Sequence, residues 1–168
     1  MTDQPTILSP TEIRFERLLP GPIEIVWAFL TDEKKRGEWL ASGPMDPRVG
    51  GKVELRFKHS DLSPNKAPPP ERYKQMDITG HRAEETITEI DPPHHLAFTW
   101  GGTSEVVFDL APRGDKVLLT LTHRKLPNEE ELKGTAGGWQ CHLTILVEKA
   151  YGRVPPAFWD IFRRVSGD

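Results

Sequence analysis

The chain has 168 residues, 22 of them Lys or Arg and 25 Asp or Glu, for a formal charge of −3. That length suits one domain with its own hydrophobic core, and the interspersed charge leaves no basic face for phosphates, which argues against nucleic-acid partners. A single cysteine excludes an internal disulfide framework and fits a reducing, cytoplasmic compartment, and the longest apolar run, Ile25 to Leu30, is too short to span a bilayer.

Residues 1–10 read as an N-terminal tail without the basic and apolar regions of a signal peptide. Residues 12–19 (EIRFERLL) read as a strand with Ile13 and Phe15 on one face, stopped by Pro20-Gly21-Pro22. Pro22 suits a first helical position, and Ile23, Val26, Trp27 and Leu30 then form one apolar stripe at helical spacing. Thr31-Asp32 closes that helix and caps a second short one over residues 33–40 (EKKRGEWL). Residues 41–51 are loop by their Gly and Pro content.

Strand signals then dominate. In GKVELRFKH (51–59), Val53, Leu55 and Phe57 alternate with charged residues, a period of two. Residues 60–72 form a proline-rich excursion that no sheet interior accepts, and it reads as a surface flap. Residues 81–90, 95–100, 104–111 and 116–125 follow as strands whose short links require antiparallel neighbours. The charged stretch PNEEELKG leads into a long helix near 136–150, and Pro155-Pro156 breaks a C-terminal segment, 153–168, that holds the amphipathic FWDIFRRV. The fold class is α+β. A curved antiparallel sheet wraps a long C-terminal helix, and two short helices after the first strand close one end. All of this forms one domain over 1–168, with an interior that is either packed solid or left as a pocket.

Several motifs fail on inspection. Gly50-Gly51-Lys52 lacks the rest of a phosphate loop, since Asp46 stands where a glycine is needed and Val53 where Ser or Thr is needed. Arg113-Gly114-Asp115 serves a hairpin turn. The six histidines form no ligand set, and there is neither HExxH nor GxSxG, so no metal, cofactor or serine nucleophile is expected.

On a helical projection Trp139, Leu143, Leu146 and Ala150 share one side, with Gln140, Thr144 and Glu148 opposite. Cys141 points towards the polar side near Glu148 and His142 lies on the flank of the apolar stripe, so the two cannot act as a local dyad. His123 shares the parity of Val117, Leu119 and Leu121, which places it on the sheet face that meets the helix. His123 and His142 each have two readings: a buried ring satisfied by backbone or water, or a polar anchor inside an apolar cavity. Trp27, Trp39, Phe57, Phe98, Trp100, Phe108, Leu121, Trp139, Leu143 and Leu146 are likewise core or cavity wall.

Across almost the whole chain, EIRFERLLPGPIEIVWAFLTDEKKRGEWL, VGGKVEL, EIDPPHHLAFTWG, SEVVFDLAPRGDKVLLTLTHRKL and GGWQCHLTILVEKAYGRVPPAFW occur in order. Together they resemble the activator of heat-shock-protein ATPase homologue-like proteins of the START/SRPBCC superfamily, in a bacterial subgroup of single-domain members. The most specific part is PP-x-x-L-x-FTW, then LTLTH, then GGW-x-x-HL. The resemblance implies a helix-grip fold and a hydrophobic small molecule bound between sheet and long helix. It also implies two alternatives: a surface partner of a heat-shock chaperone, or a cyclase/aromatase-type enzyme with His123 or His142 as general base. The chain has no nucleotide-binding motif and is not expected to be an ATPase. A second copy of the chain is a further candidate partner, through the proline-rich flap.

Overall fold

The computed structural model describes residues 3–167; Met1 and Thr2 of the expected N-terminal tail, and Asp168 of the C-terminal segment, lie outside the described residues. Seven strands pair antiparallel: β1 (Thr6–Ser9), β2 (Glu12–Pro20), β3 (Lys52–Phe57), β4 (His81–Asp91), β5 (His95–Trp100), β6 (Ser104–Arg113) and β7 (Lys116–Arg124). Their order in the sheet is β1-β2-β7-β6-β5-β4-β3. Helices α1 (Ile23–Thr31) and α2 (Glu33–Gly37) follow β2, α3 (Lys74–Thr79) interrupts the β3–β4 connection, and α4 (Glu129–Ala150) and α5 (Phe158–Ser166) come last.

Alternation decides which face is inside. β2 buries Ile13, Phe15, Arg17 and Leu19, while β7 buries Val117, Leu119, Leu121 and His123. The register Ile13↔His123 and Phe15↔Leu121 puts both sets on one surface. Into that surface α4 inserts Trp139, Leu143 and Leu146. Burying each such side chain is worth about 2 kcal/mol, so sheet face against helix face is the main stabilising contact of this helix-grip fold.

The structure departs from the sequence reading at element ends. Residues 6–9 leave the expected tail to pair with β2 as an edge strand. Pro22 stands one position earlier than expected, as the residue before α1. Asp32 caps α2 as expected, accepting from Lys35 N at 3.0 Å, but α2 stops at Gly37 rather than reaching Leu40. Its early end follows from Arg36, whose side chain turns inward to the carbonyls of the following loop. β3 ends at Phe57, and the flap holds 3-10 turns at His59–Leu62 and Glu71–Tyr73 before α3, none of which the proline content announces. The long helix starts at Glu129 instead of 136. Asn128 Oδ1 accepts from Glu131 N at 2.9 Å, and Glu129, Glu130 and Glu131 complement the helix N-terminus.

Gly51 has a packing reason in place of the rejected phosphate loop. A Cβ there would collide with the carbonyls of Asp46 and Arg48, and its own carbonyl accepts from Ile87 N at 2.8 Å.

Candidate functional site

A cavity of about 430 Å³ opens between the β3–β5 end of the sheet and the N-terminal half of α4, within the range of small-molecule sites. The sheet contributes Leu55, Phe57, Ala83, Glu85 and Trp100, and the flap contributes His59 and Tyr73. From α4 come Gly134, Gly138, Trp139 and His142, with Glu131 and Thr135 near the rim. Trp100 and Trp139 lie 4.9 Å apart between centroids, and Phe57 meets Trp100 edge-on at 6.0 Å. Glu85 is already occupied: Oε1 accepts from Thr99 Oγ1 at 2.7 Å and Oε2 from Gly101 N at 3.1 Å.

Two of the three glycines of α4, Gly134 and Gly138, are part of the site. A Cβ built at either Gly134 or Gly138 would meet nothing within 4 Å. A glycine inside a helix costs about 1 kcal/mol relative to alanine, so here helix stability is given up where side chains would enter the cavity. Their spacing of four puts them on one helix face, beside Trp139 and His142.

Behind the wall runs a directional chain of hydrogen bonds. Trp139 Nε1 donates to His123 Nδ1 at 2.9 Å, and an indole N–H can only donate. His123 is thereby held as the Nε2–H tautomer. It donates to Ser104 Oγ at 2.8 Å, and Ser104 donates to the Trp100 carbonyl at 2.6 Å. His123 is 0% exposed, and burial lowers its pKa to about 4. With both ring nitrogens bonded inside the core, this histidine links the two tryptophans of the wall and is not itself among the residues that line the cavity.

His142 differs. Its Nδ1 lies 2.8 Å from the Trp39 carbonyl, which can only accept, so the proton sits on Nδ1 and the lone pair on Nε2. Burial, the neighbouring His59 and, in opposition, the Trp39 carbonyl leave the ring with a pKa lowered to about 3. His59 packs against it at 5.5 Å and is itself lowered to about 4, by burial first, although Asp77 opposes the shift. Phe158 closes the back of both rings, at 5.1 and 4.6 Å.

Flap and C-terminal segment are fastened to each other over this end. Tyr73 stacks on Trp159 at 5.6 Å, and Trp159 Nε1 donates to Asp77 Oδ1 at 2.9 Å. Ser60 also donates to Asp77, at 2.6 Å, while Ser63 Oγ and Asn65 Nδ2 donate to the Pro155 carbonyl at 2.6 and 2.9 Å. Arg163 adds a hydrogen bond to the Pro68 carbonyl. Trp159→Phe keeps the stack and removes the donor to Asp77. It is expected to cost about 1 kcal/mol in urea denaturation and to speed amide exchange across residues 58–80, with β6 and β7 unaffected.

Of the residues named from sequence, Phe57, Trp100, Trp139 and His142 stand on the cavity wall. Trp39, Phe98, Phe108, Leu121, His123, Leu143 and Leu146 lie in the packed core behind it, and Trp27 is half-buried on α1. Cys141 is a correction: it is fully buried rather than directed to a polar face, because α5 covers that side of α4. Burial pushes its thiol up to about 12, which keeps it in the thiol form at neutral pH. Sequence reading passed over His59, Tyr73, His81 and the glycine pair. The glycines had a legible signal in their spacing of four within a helix. His81 had one only after β3 and β4 are paired, since Phe57 and His81 are register partners. Among the described residues no group of His, Cys, Asp and Glu is arranged to hold a metal, and no helix is long and apolar enough to cross a membrane.

The profile of the family described as Activator of Hsp90 ATPase homolog 1-like protein matches residues 20–150. No curated protein matches the chain. Among solved structures, the solution NMR structure of the protein encoded by gene BPP1335 from Bordetella parapertussis is 43% identical, with a TM-score of 0.82 over 97% of this chain and 86% of that one. The crystal structure of CalU16 from Micromonospora echinospora is 25% identical, with a TM-score of 0.65 over 92% of this chain and 83% of that one. DynU16, a protein of the dynemicin biosynthetic locus, shares the fold at 17% identity, with a TM-score of 0.66 over 90% of this chain and 51% of that one. The helix-grip fold, the profile match and the Bordetella relative agree: the chain belongs to the activator of Hsp90 ATPase homolog 1-like family.

Proposed function

We propose that this protein binds a small, largely apolar aromatic ligand between the sheet and α4. The observation that carries this reading is the cavity of about 430 Å³ walled by Phe57, Trp100 and Trp139, with two helix positions left without side chains where they would fill it. Binding is favoured over cyclase-type catalysis by the state of the two histidines. His123 has both nitrogens committed in the core, and His142, at about 3, is too weak a base for proton abstraction at neutral pH.

Gly138→Leu is the decisive variant. Leucine is the better helix former by about 0.8 kcal/mol, so the fold is expected to be kept or slightly stabilised. Its side chain enters the cavity, and affinity for an aromatic ligand found by thermal-shift screening should fall at least about 100-fold. Titration followed by tryptophan fluorescence reads this directly, since Trp100 and Trp139 line the site. Equal affinity in wild type and variant would move the ligand elsewhere and overturn the reading.

A further inference from the structure

Resting on that reading of the cavity, we propose that His142 Nε2 is its hydrogen-bond acceptor. The site then selects uncharged aromatic ligands that carry a hydroxyl or N–H donor over anions of the same shape.

The tautomer comes from geometry. The Trp39 carbonyl holds the proton on Nδ1, leaving Nε2 with a lone pair and no partner among the described residues. His142 is 6% exposed and lines the cavity, so a ligand that fills the cavity packs against this ring. An acceptor buried without a donor costs about 1–3 kcal/mol, and a ligand hydroxyl or N–H avoids that loss.

The charge pattern supplies the second half. Among the described residues no lysine or arginine lines the cavity, whereas Glu85 and Glu131 do. A carboxylate or phosphate entering there would lose hydration without gaining a counter-charge, and it would offer Nε2 no proton. Burial holds the His59 and His142 rings largely neutral, so neither supplies a counter-charge there. Glu85 is held in place by the Thr99 hydroxyl and the Gly101 N–H, one on each carboxylate oxygen. The tryptophan pair accommodates a flat ring, by stacking or edge contact, and leaves the polar choice to one nitrogen.

Three probes of one shape separate the alternatives: naphthol, its methyl ether and naphthoate, all substituted at the same ring carbon. Their affinities are read by titration of amide and indole N–H shifts in the wild type, in Gly138→Leu and in His142→Phe. Naphthol is expected to bind about tenfold more tightly than the ether, with naphthoate weakest. In His142→Phe naphthol and ether should bind alike. The order in the wild type tests the proposal even where that variant does not fold. Naphthoate equal to or tighter than naphthol, or ether equal to naphthol in the wild type, overturns the acceptor role while leaving the cavity reading intact. Binding of none of the three, or binding unchanged in Gly138→Leu, overturns the cavity reading and the acceptor role with it.

Discussion

Stability should fall steeply as pH drops below about 6.5, the ordinary histidine value, well before the carboxylates titrate. His123 and His142 are neutral in the folded state, with pKa values of about 4 and about 3, lowered chiefly by burial. Between those values and the unfolded value, the unfolded chain binds a proton that the folded chain refuses. The stabilisation is therefore complete above the unfolded pKa and is lost as pH falls towards the folded ones. By pH 5 each ring removes roughly 2 kcal/mol, and His59 adds in the same direction.

His95 acts at the other end of the scale. Burial alone would lower it, but hydrogen bonds to Asp109 at 2.6 Å and Glu89 at 2.7 Å, with their charges, raise it. Its contribution is complete below the unfolded value and fades as pH rises through the folded one. A stability maximum near neutrality follows. Urea denaturation between pH 5 and 8 checks the profile, and imidazole shifts of His123 and His142 should stay constant down to about pH 5. A His123 ring that titrates at the ordinary value would contradict the hydrogen-bond chain from Trp139.

The parts of the fold set by periodicity were legible, and the parts set by pairing were not. Alternation placed Val117, Leu119, Leu121 and His123 on the inner face, and the structure agrees because a strand's parity is local. Cys141 was misplaced because a helical projection shows directions, not neighbours: only the docking of α5 makes that direction interior. Asn128 and Glu131 carried a readable cap, but the glutamates after it looked like a solvated run, which shortened α4 by two turns. At the site, the aromatic wall was visible as residue types. What separated wall from filling was depth, and depth depends on how the sheet curves. His59 and Tyr73 join the cavity through a flap whose prolines predict irregularity without its direction.

Arg36→Met should destabilise the protein by about 3 kcal/mol, seen as a fall in Tm of about 6–12 °C. Arg36 is 1% exposed, yet among the described residues no carboxylate pairs with it; its guanidinium is held by backbone carbonyls. Nε donates to Ala41 O at 3.1 Å, and the terminal nitrogens donate to Leu30, Gly43 and Glu54 carbonyls from α1, the following loop and β3. Burial lowers its pKa to about 10, so the group stays charged at neutral pH and its hydrogen bonds are charge-assisted. Methionine fills similar volume and leaves those carbonyls without their donor, whereas Arg36→Lys, a point charge with three donors, should recover only part of the loss. The consequence reaches the cavity. Leu40 N and Ala41 N both hydrogen-bond to Arg36 O, and the Trp39 carbonyl beside them holds His142 Nδ1. Loosening this loop should free the His142 ring to exchange tautomers, readable in its nitrogen shifts, and weaken any preference for ligand donors. A variant with unchanged Tm, or one that loses stability while His142 keeps its single tautomer, would show that the guanidinium does not set the position of that carbonyl.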